Sequence, residues 1–127
     1  MKEIILDTNF LLIPGQFNID IFEEIDRIIP EKHKLYALDK TLDELKKILN
    51  NEEQKKKNKH AAELAIQLID SKDIPIIKTS SNLDVDSILV KKSQNKDTII
   101  ATQDIILKKR IKNKVITLRQ KKKLILA

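Results

Sequence analysis

Short apolar runs alternate with longer amphipathic stretches along this chain. The first run, Lys2 to Leu6, ends in the consecutive apolar residues Ile4, Ile5 and Leu6, which is typical of a strand covered on both faces in a parallel sheet. Asp7-Thr8-Asn9 ends it. Further strands are predicted at Leu35 to Leu38, Ile74 to Ile77, Thr98 to Thr102 and Val115 to Leu118, with an added edge segment at Leu124 to Leu126. Pro75 favours an edge position for the third strand, because proline cannot donate a ladder hydrogen bond.

Helical spacing of apolar residues predicts helices between these strands. Residues 18 to 29 have such a stripe, with Asn18 as the N-cap and Pro30 as the stop, after a loop that contains Pro14 and Gly15. The next helix follows the second strand, starts at Asp39 or Thr41 and reaches Leu49.

Three more helices are predicted in the second half of the chain. They cover residues 61–69, 84–93 and 105–111, the last with Asp104 as its cap and Ile105, Leu107 and Ile111 as its apolar pattern. The polar stretch 50–60 is either a turn or the exposed start of the helix over 61–69.

Strands that alternate with helices indicate right-handed βαβ units. The predicted fold class is therefore α/β, a three-layer arrangement with a parallel sheet between helices. No repeat, low-complexity linker or change of composition divides the chain, so we expect a single domain over residues 1–127.

Composition narrows the class of protein further. A hydrophobic fraction of 41% is too high for a disordered chain, and no apolar stretch approaches the length of about 20 residues that crosses a bilayer. We therefore expect a cytoplasmic protein without a membrane anchor. Because the sequence has no cysteine, a metal would be held by oxygen or imidazole ligands.

The net charge of +6 is unevenly distributed. Residues 105–127 contain nine Lys or Arg and no Asp or Glu. A surface of one sign attracts polyanions, and the phosphate backbone of RNA or DNA is the commonest polyanion in a cell. The alternative is a solvated, ion-pair-rich surface of the kind found in thermophiles.

Four acidic residues are predicted to meet at one edge of the sheet. Asp7 follows the first strand and Asp104 the fourth, Asp86 lies in the first turn of the helix after the third strand, and Glu44 lies about one turn into the helix after the second. Taken singly, Asp86 and Asp104 are explained as helix caps and Glu44 as a solvated helix residue. Their joint placement at the carboxyl edge favours a site for a hard divalent cation, which would offset their repulsion.

Several segments make the sequence resemble the PIN-domain nucleases. Within them it is similar to the branch of endonucleases that trim pre-ribosomal RNA at the small-subunit 3′ end, with their archaeal relatives. The matching segments are Ile5 to Leu11, Leu38 to Leu45, Asp86 to Leu89, Ile99 to Asp104, Leu107 to Ile111 and the basic stretch Arg119 to Leu124.

This resemblance implies a five-stranded parallel sheet of order 3-2-1-4-5. It also implies an endoribonuclease with Asp7, Glu44, Asp86 and Asp104 as the catalytic ligands of Mg²⁺ or Mn²⁺. Asn9 and Thr102 would be supporting residues, and Asp39 and Asp84 are additional or alternative acidic contributors. The chain departs from the family pattern at Val85, where relatives often have a second Asp, and at Gln103, where they often have Asn.

The expected partner is RNA, either single-stranded or a ribosomal precursor, and a homodimer is compatible with the sequence. The candidate phosphate contacts are basic residues of the last third of the chain, Lys108, Lys109, Arg110, Lys112, Lys121, Lys122 and Lys123, with a second patch at residues 55–57.

Three other functions stay open at this point. One is a toxin-type PIN ribonuclease of a toxin–antitoxin pair, and another is a non-catalytic PIN-like scaffold that binds RNA or a ribosome-assembly partner. The third is a receiver-like phosphoacceptor domain, which would need an Asp on the third strand, whereas that strand ends in Ile76-Ile77-Lys78-Thr79.

Overall fold

A computed structural model describes residues 1–80 and 82–127. In chain order the described elements are β1 Lys2–Leu6, α1 Thr8–Leu11, α2 Ile13–Phe17, α3 Ile21–Ile28, β2 His33–Leu38, α4 Asp39–Asn50, α5 Lys56–Ser71, β3 Ile76–Ile77, α6 Val85–Ser93, β4 Thr98–Ala101, α7 Ile105–Arg110, β5 Ile116–Arg119 and β6 Lys123–Leu126. Among these, no helix has the length and apolar character needed to span a membrane.

The described strands form a sheet of order β3-β2-β1-β4-β5-β6. The first five are parallel, which confirms the predicted order 3-2-1-4-5, and β6 is added antiparallel to β5. The third strand is at the edge, as Pro75 predicted. Strand β1 is central because it pairs with β2 on one side and with β4 on the other.

Two apolar clusters cover the two faces of this sheet. Alternation along β1 sends Ile4 and Leu6 into the larger cluster, with helices α2 to α5, and sends Ile5 into the smaller one, with α6 and α7. All three side chains are buried, which explains why β1 ends in three consecutive apolar residues.

The loop predicted after Asn9 is wrong, because residues 8–17 form the short helices α1 and α2. Helix α2 packs directly on α5: a Cβ built on Gly15 would lie 2.5 Å from the Ala61 Cα and 2.8 Å from its Cβ. Only glycine permits this approach. Pro14 is compatible with helix α2 because it lies in the first turn, where its missing N–H has no helical partner.

The predicted N-cap at Asn18 is also wrong. Asn18 ends α2 in the left-handed conformation, with φ 56°, and Asp20 begins α3 by accepting hydrogen bonds from the Phe22 and Glu23 N–H groups at 3.0 and 3.1 Å. Two other boundaries are now fixed. Strand β2 begins at His33 rather than Leu35, and α5 begins at Lys56, so the polar stretch holds both a turn and an exposed helix start.

Side chains of α3 fasten the edge strand β6. The Leu124 N–H donates to Glu24 Oε1 at 3.0 Å, and Arg27 Nη2 donates to the Leu124 carbonyl at 3.0 Å. Arg27 also donates to both Glu24 oxygens, at 2.9 and 3.0 Å. This α3–β6 clamp of Glu24, Arg27 and Leu124 occupies backbone groups of the edge strand that would otherwise be open to pairing.

Candidate active site

Four carboxylates line one pocket of about 200 Å³ at the carboxyl edge of the sheet. They are the four that the sequence predicted to converge. The complete lining among the described residues is Asp7, Thr8, Asn9, Leu12, Glu44, Val85, Asp86 and Asp104.

The strand register accounts for this convergence. Leu6 of β1 lies opposite Ala101 of β4, so both strands deliver the next residues to the same edge, and the Asp7 N–H donates to the Ala101 carbonyl at 2.9 Å. Helix α4 starts directly after β2, which places Glu44 in its second turn. Asp86 lies in the first turn of α6.

Thr102 holds the Asp7 carboxylate in place. Its hydroxyl, which is fully buried, donates to Asp7 Oδ2 at 2.8 Å and accepts from the Asp104 N–H at 3.1 Å. The other Asp7 oxygen accepts from the Thr8 N–H at 2.8 Å. One threonine therefore links the carboxylate of Asp7 to the backbone of Asp104.

Asn9 and Gln103 form a second connection behind the pocket. The Asn9 Oδ1 accepts from the Gln103 N–H at 3.0 Å and lies 3.3 Å from the Thr102 hydroxyl. The Gln103 side-chain oxygen accepts from the Thr117 hydroxyl at 2.8 Å and from the Leu118 N–H at 2.7 Å. The departure from the family pattern at Gln103 thus ties the loop after β4 to strand β5.

Burial and like charge act together on the pocket carboxylates. Burial raises the pKa of Asp7 above its ordinary 3.8, against the hydrogen bonds from Thr102 and Thr8, and the charges of Asp86 and Asp104 raise it further. The pKa of Glu44 is raised above 4.5, first by burial and then by the charge of Asp7.

The pKa of Asp86 is shifted in the same direction. Burial raises its pKa above 3.8, the neighbouring charges of Asp104 and Asp84 add to this rise, and the Arg110 guanidinium opposes it. The folded chain therefore holds at least three carboxylates in a place where their negative charge is unfavourable.

The donor chemistry of the pocket fits a hard divalent cation, because carboxylate oxygens are the ligands that Mg²⁺ and Mn²⁺ prefer. The salt bridges of the described residues are Lys2–Asp97, Glu24–Arg27 and Asp26–His33, and none includes a pocket carboxylate. In the same part of the chain, no three acidic or histidine side chains are grouped so that they could hold a metal ion as they stand. The four candidate donors therefore share one pocket without forming a complete coordination site.

The two further acidic candidates have partners elsewhere. Asp39 Oδ1 accepts from the Thr79 hydroxyl at 2.7 Å, and Oδ2 accepts from the Thr79 N–H at 3.1 Å, which fixes the segment after β3. Asp84 caps α6 and accepts from the Ser87 hydroxyl at 2.6 Å. Hydrogen bonding lowers the pKa of each, and neither lines the described pocket.

The predicted phosphate-binding residues are divided between two regions. Lys108 and Lys112 line a separate pocket of about 390 Å³, and Lys109, which lies between them in the sequence, is exposed on α7. Lys121, Lys122 and Lys123 are exposed at the β5–β6 turn, where the Lys121 ammonium lies 5.9 Å from the centre of the Phe17 ring. Because β5 is parallel to β4, this turn lies at the same sheet edge as the carboxylates.

Arg110 has a structural contact that the sequence did not predict. Its Nη2 donates to the Ser87 hydroxyl at 3.2 Å, so it joins the end of α7 to the first turn of α6, which carries Asp86. Leu12 and Val85 were also missed as pocket residues. The short helix before Leu12 has no measurable periodicity, and no local signal in the sequence indicates either position.

Comparisons with known proteins find related proteins over most of the chain. A family model described as a PIN-like domain matches residues 4–121. Ribonuclease VapC4 of Methanocaldococcus jannaschii is 31% identical over 125 residues, which cover 96% of this chain and 94% of the relative.

Two solved structures share the fold. The PIN domain endonuclease Utp24 superposes with a TM-score of 0.75 at 23% identity, over 98% of this chain and 90% of the other. A domain of a functionally unknown protein from M. jannaschii has a TM-score of 0.51 at 15% identity, over 86% and 83%. At these identities the two structures support the fold alone.

Proposed function

The chain belongs to the PIN-like domain family, and from this premise we propose that it is a divalent-metal-dependent endoribonuclease that hydrolyses RNA phosphodiesters at the four-carboxylate pocket. Its relative of 31% identity is named a ribonuclease and matches nearly the whole length of both chains. We propose Asp7 as the central ligand of Mg²⁺ or Mn²⁺, with Asp86, Asp104 and Glu44 as the other ligands.

One observation carries the proposal: four acidic side chains from separate segments line a single pocket without a salt bridge in the described residues. The chain has 25 Lys and Arg residues, so the lack of such salt bridges is not due to a shortage of basic side chains. An arrangement that burial and repulsion make unfavourable is explained if an external cation completes it.

Each part of the site has a defined task in this reaction. A divalent ion bound here would lower the pKa of a water molecule and stabilise the departing 3′-oxygen. Asp7 is pre-oriented for its role, because Thr102 and Thr8 fix one oxygen each. We propose products with 5′-phosphate and 3′-hydroxyl ends.

The rest of the chain supplies attraction for the RNA backbone. Without the four pocket carboxylates, the remaining charge is +10, and much of it lies on α7 and the β5–β6 turn, at the same edge of the sheet as the pocket. Backbone contacts of this type hold RNA without reading its sequence. We therefore expect binding that weakens steeply with salt and selects little by sequence.

For the biological role we propose processing of a ribosomal RNA precursor, on the strength of the motif resemblance from Ile5 to Leu11 and from Ile99 to Asp104. A toxin role would use the same pocket chemistry. Growth of cells that express the chain, with and without a neighbouring candidate antitoxin gene, separates the two roles.

The activity is tested with purified full-length protein on structured and unstructured RNA in Mn²⁺, Mg²⁺ and EDTA. We expect cleavage with either ion and none in EDTA. The Asp104→Asn variant should lose cleavage while keeping the N-cap of α7, because an amide oxygen also caps a helix. Asp97→Asn, at an exposed salt bridge outside the pocket, is the matched control and should stay active.

Two results would contradict the proposal. RNA binding without cleavage under every ionic condition would identify a non-catalytic scaffold. Full activity of Asp104→Asn in a preparation free of contaminating nuclease would remove the pocket from the reaction.

A further inference from the structure

Two adjacent isoleucines are exposed beside the acidic pocket. Ile105 is 65% exposed and Ile106 71%, and they directly follow Asp104, whose carboxylate lines the pocket. The other large apolar side chains exposed in residues 1–80 and 82–127 are Met1, Leu83 and Leu126, which are far apart in the sequence. Single exposed apolar residues are ordinary, whereas an adjacent pair directly after a pocket residue calls for an explanation.

Packing of the helix does not explain the pair. The core side of α7 is formed by Leu107, which is fully buried, and by Ile111 just beyond its end, which is 7% exposed. The sequence predicted Ile105 as part of this apolar pattern, and that prediction is wrong, because Ile105 lies on the solvent side. Asp104 caps the helix through the Ile106 and Leu107 N–H groups, so the cap holds the pair in place.

The surroundings of the pair are cationic. On a helix, residues three and four apart are neighbours, so Ile105 adjoins Lys108 and Lys109, and Ile106 adjoins Lys109 and Arg110. No acidic residue follows Asp104 in the chain. The solvent face of α7 thus combines an apolar pair with positive charge, which suits a ligand with flat apolar groups on an anionic backbone.

We propose that Ile105 and Ile106 contact an unpaired nucleobase of the RNA next to the phosphate that reacts in the pocket. The inference rests on the proposed function and adds the residues that contact the base beside the cleaved phosphate. An unpaired base exposes an apolar face, whereas a base inside a duplex has both faces stacked on neighbours. Lys109 is the residue best placed to contact the adjoining phosphate.

Charge and position favour RNA over a protein partner on this surface. The pair is continuous with the pocket through Asp104, and the cations around it complement phosphate. A second copy of this basic chain, of net charge +6, would bring like charges together.

The test uses fluorescence anisotropy with the full-length chain in EDTA, where cleavage is suppressed. The probes are labelled oligouridylate, the same strand with abasic sites, and oligouridylate paired with oligoadenylate. The double variant Ile105→Gln/Ile106→Gln keeps side-chain length and helix propensity but removes the apolar surface. Leu126→Gln, at an exposed position on β6, is the matched control.

We expect the double variant to raise the Kd for unpaired oligouridylate by about fivefold and to leave the Kd for the duplex unchanged. Abasic RNA should bind wild type more weakly and should not distinguish it from the double variant. The control variant should match wild type on all three probes.

Three results would overturn the inference: no change in Kd, an equal change for paired and unpaired RNA, or a change in oligomeric state by light scattering with an unchanged Kd. The last would assign the pair to a protein interface. Failure of the proposed function gives a different signature, namely the expected Kd pattern with no metal-dependent cleavage by wild type.

Discussion

The acidic pocket and the α3–β6 clamp contain the same kind of side chain in opposite environments. At the clamp, hydrogen bonds from Arg27 hold the pKa of Glu24 below its ordinary 4.5, with a further contribution from the Leu124 N–H. In the pocket, burial raises the pKa of Asp7, Glu44 and Asp86, and the neighbouring carboxylates add to that rise.

This contrast separates residues that stabilise the chain from residues that we propose bind a metal ion. The charged form of Glu24 is favoured in the folded state, because it pairs with Arg27 and fastens an edge strand. The charged forms in the pocket are disfavoured, so they lower stability until something binds them. Among the described residues, Glu24 has an arginine partner, whereas no salt bridge includes a pocket carboxylate.

Among the variants considered, replacing the Asp7 carboxylate should have the largest effect. In Asp7→Asn we expect metal-dependent cleavage to fall by at least about 100-fold, more than the loss of an outer hydrogen-bond partner causes. The variant should also unfold at a higher temperature than wild type in EDTA, because a buried and repelled charge is gone. Steady-state kinetics and thermal melts measure the two changes.

Glu24→Gln is the control for that experiment, since it removes an acid at the clamp. It should retain cleavage and should not gain stability. If Asp7→Asn and Glu24→Gln behave alike in both measurements, the distinction between the two regions is wrong.

Thr102→Val should have the next largest effect. It removes the hydroxyl that bonds to Asp7 and Asp104 while keeping the buried volume. Loss of such a supporting contact costs about 10- to 100-fold in metal affinity or activity. Titration with Mn²⁺ gives the affinity, and Thr102→Ser should recover most of it because the hydroxyl returns; a serine variant as weak as valine would count against the role of that hydroxyl.

The pH dependence of stability should also differ between the pocket and the clamp, with a smaller effect than the preceding variants. A carboxyl whose pKa is raised in the folded state stabilises the protein below its unfolded pKa, and this contribution is lost as the pH rises through the folded value. In EDTA, the stability advantage of Asp7→Asn over wild type should therefore grow as the pH rises above the ordinary 3.8 of Asp.

The stability that Glu24 contributes at the clamp has the opposite pH dependence. Because the pKa of Glu24 is lowered, its contribution is present above its ordinary 4.5 and is lost as the pH falls. The difference in unfolding free energy between Glu24→Gln and wild type should shrink toward acid, and urea melts across this range measure both trends. Parallel pH trends for the two variants would contradict the assigned shifts.

Arg27→Gln should give the smallest effect. Exposed ion pairs contribute little, so the unfolding midpoint should decrease only slightly, through the lost hydrogen bonds to Glu24 and Leu124. Cleavage should be unchanged, because the clamp lies outside the pocket. A marked loss of activity at unchanged stability would mean that β6 and its clamp take part in RNA binding.

Periodicity in the sequence was enough to predict the strands and most helices. The buried run of β1 and the spacing of polar caps such as Asp84 and Asp104 are local features that the structure confirms. The common edge of the four carboxylates was also predictable, because the ends of parallel strands and the starts of the following helices lie at the same rim. The metal-ligand roles of these residues stay a prediction.

The remaining features depend on contacts between distant segments. Helices α1 and α2 have four and five residues, too few to show a helical period, and α2 is held by the approach of Gly15 to Ala61. Two isoleucines of α7 with similar local context to Leu107 are exposed because only one side of the helix meets the core.

The sequence by itself determined the chain order of the strands and longer helices and the residue types at their ends, because these follow from spacing along the chain. Tertiary structure alone decided the short helices α1 and α2, the burial and repulsion that raise the pKa of the pocket carboxylates, and which isoleucines of α7 are exposed. The reason is that charge interactions and burial depend on distances in space, and such distances between remote segments are set only when the sheet and helices have packed.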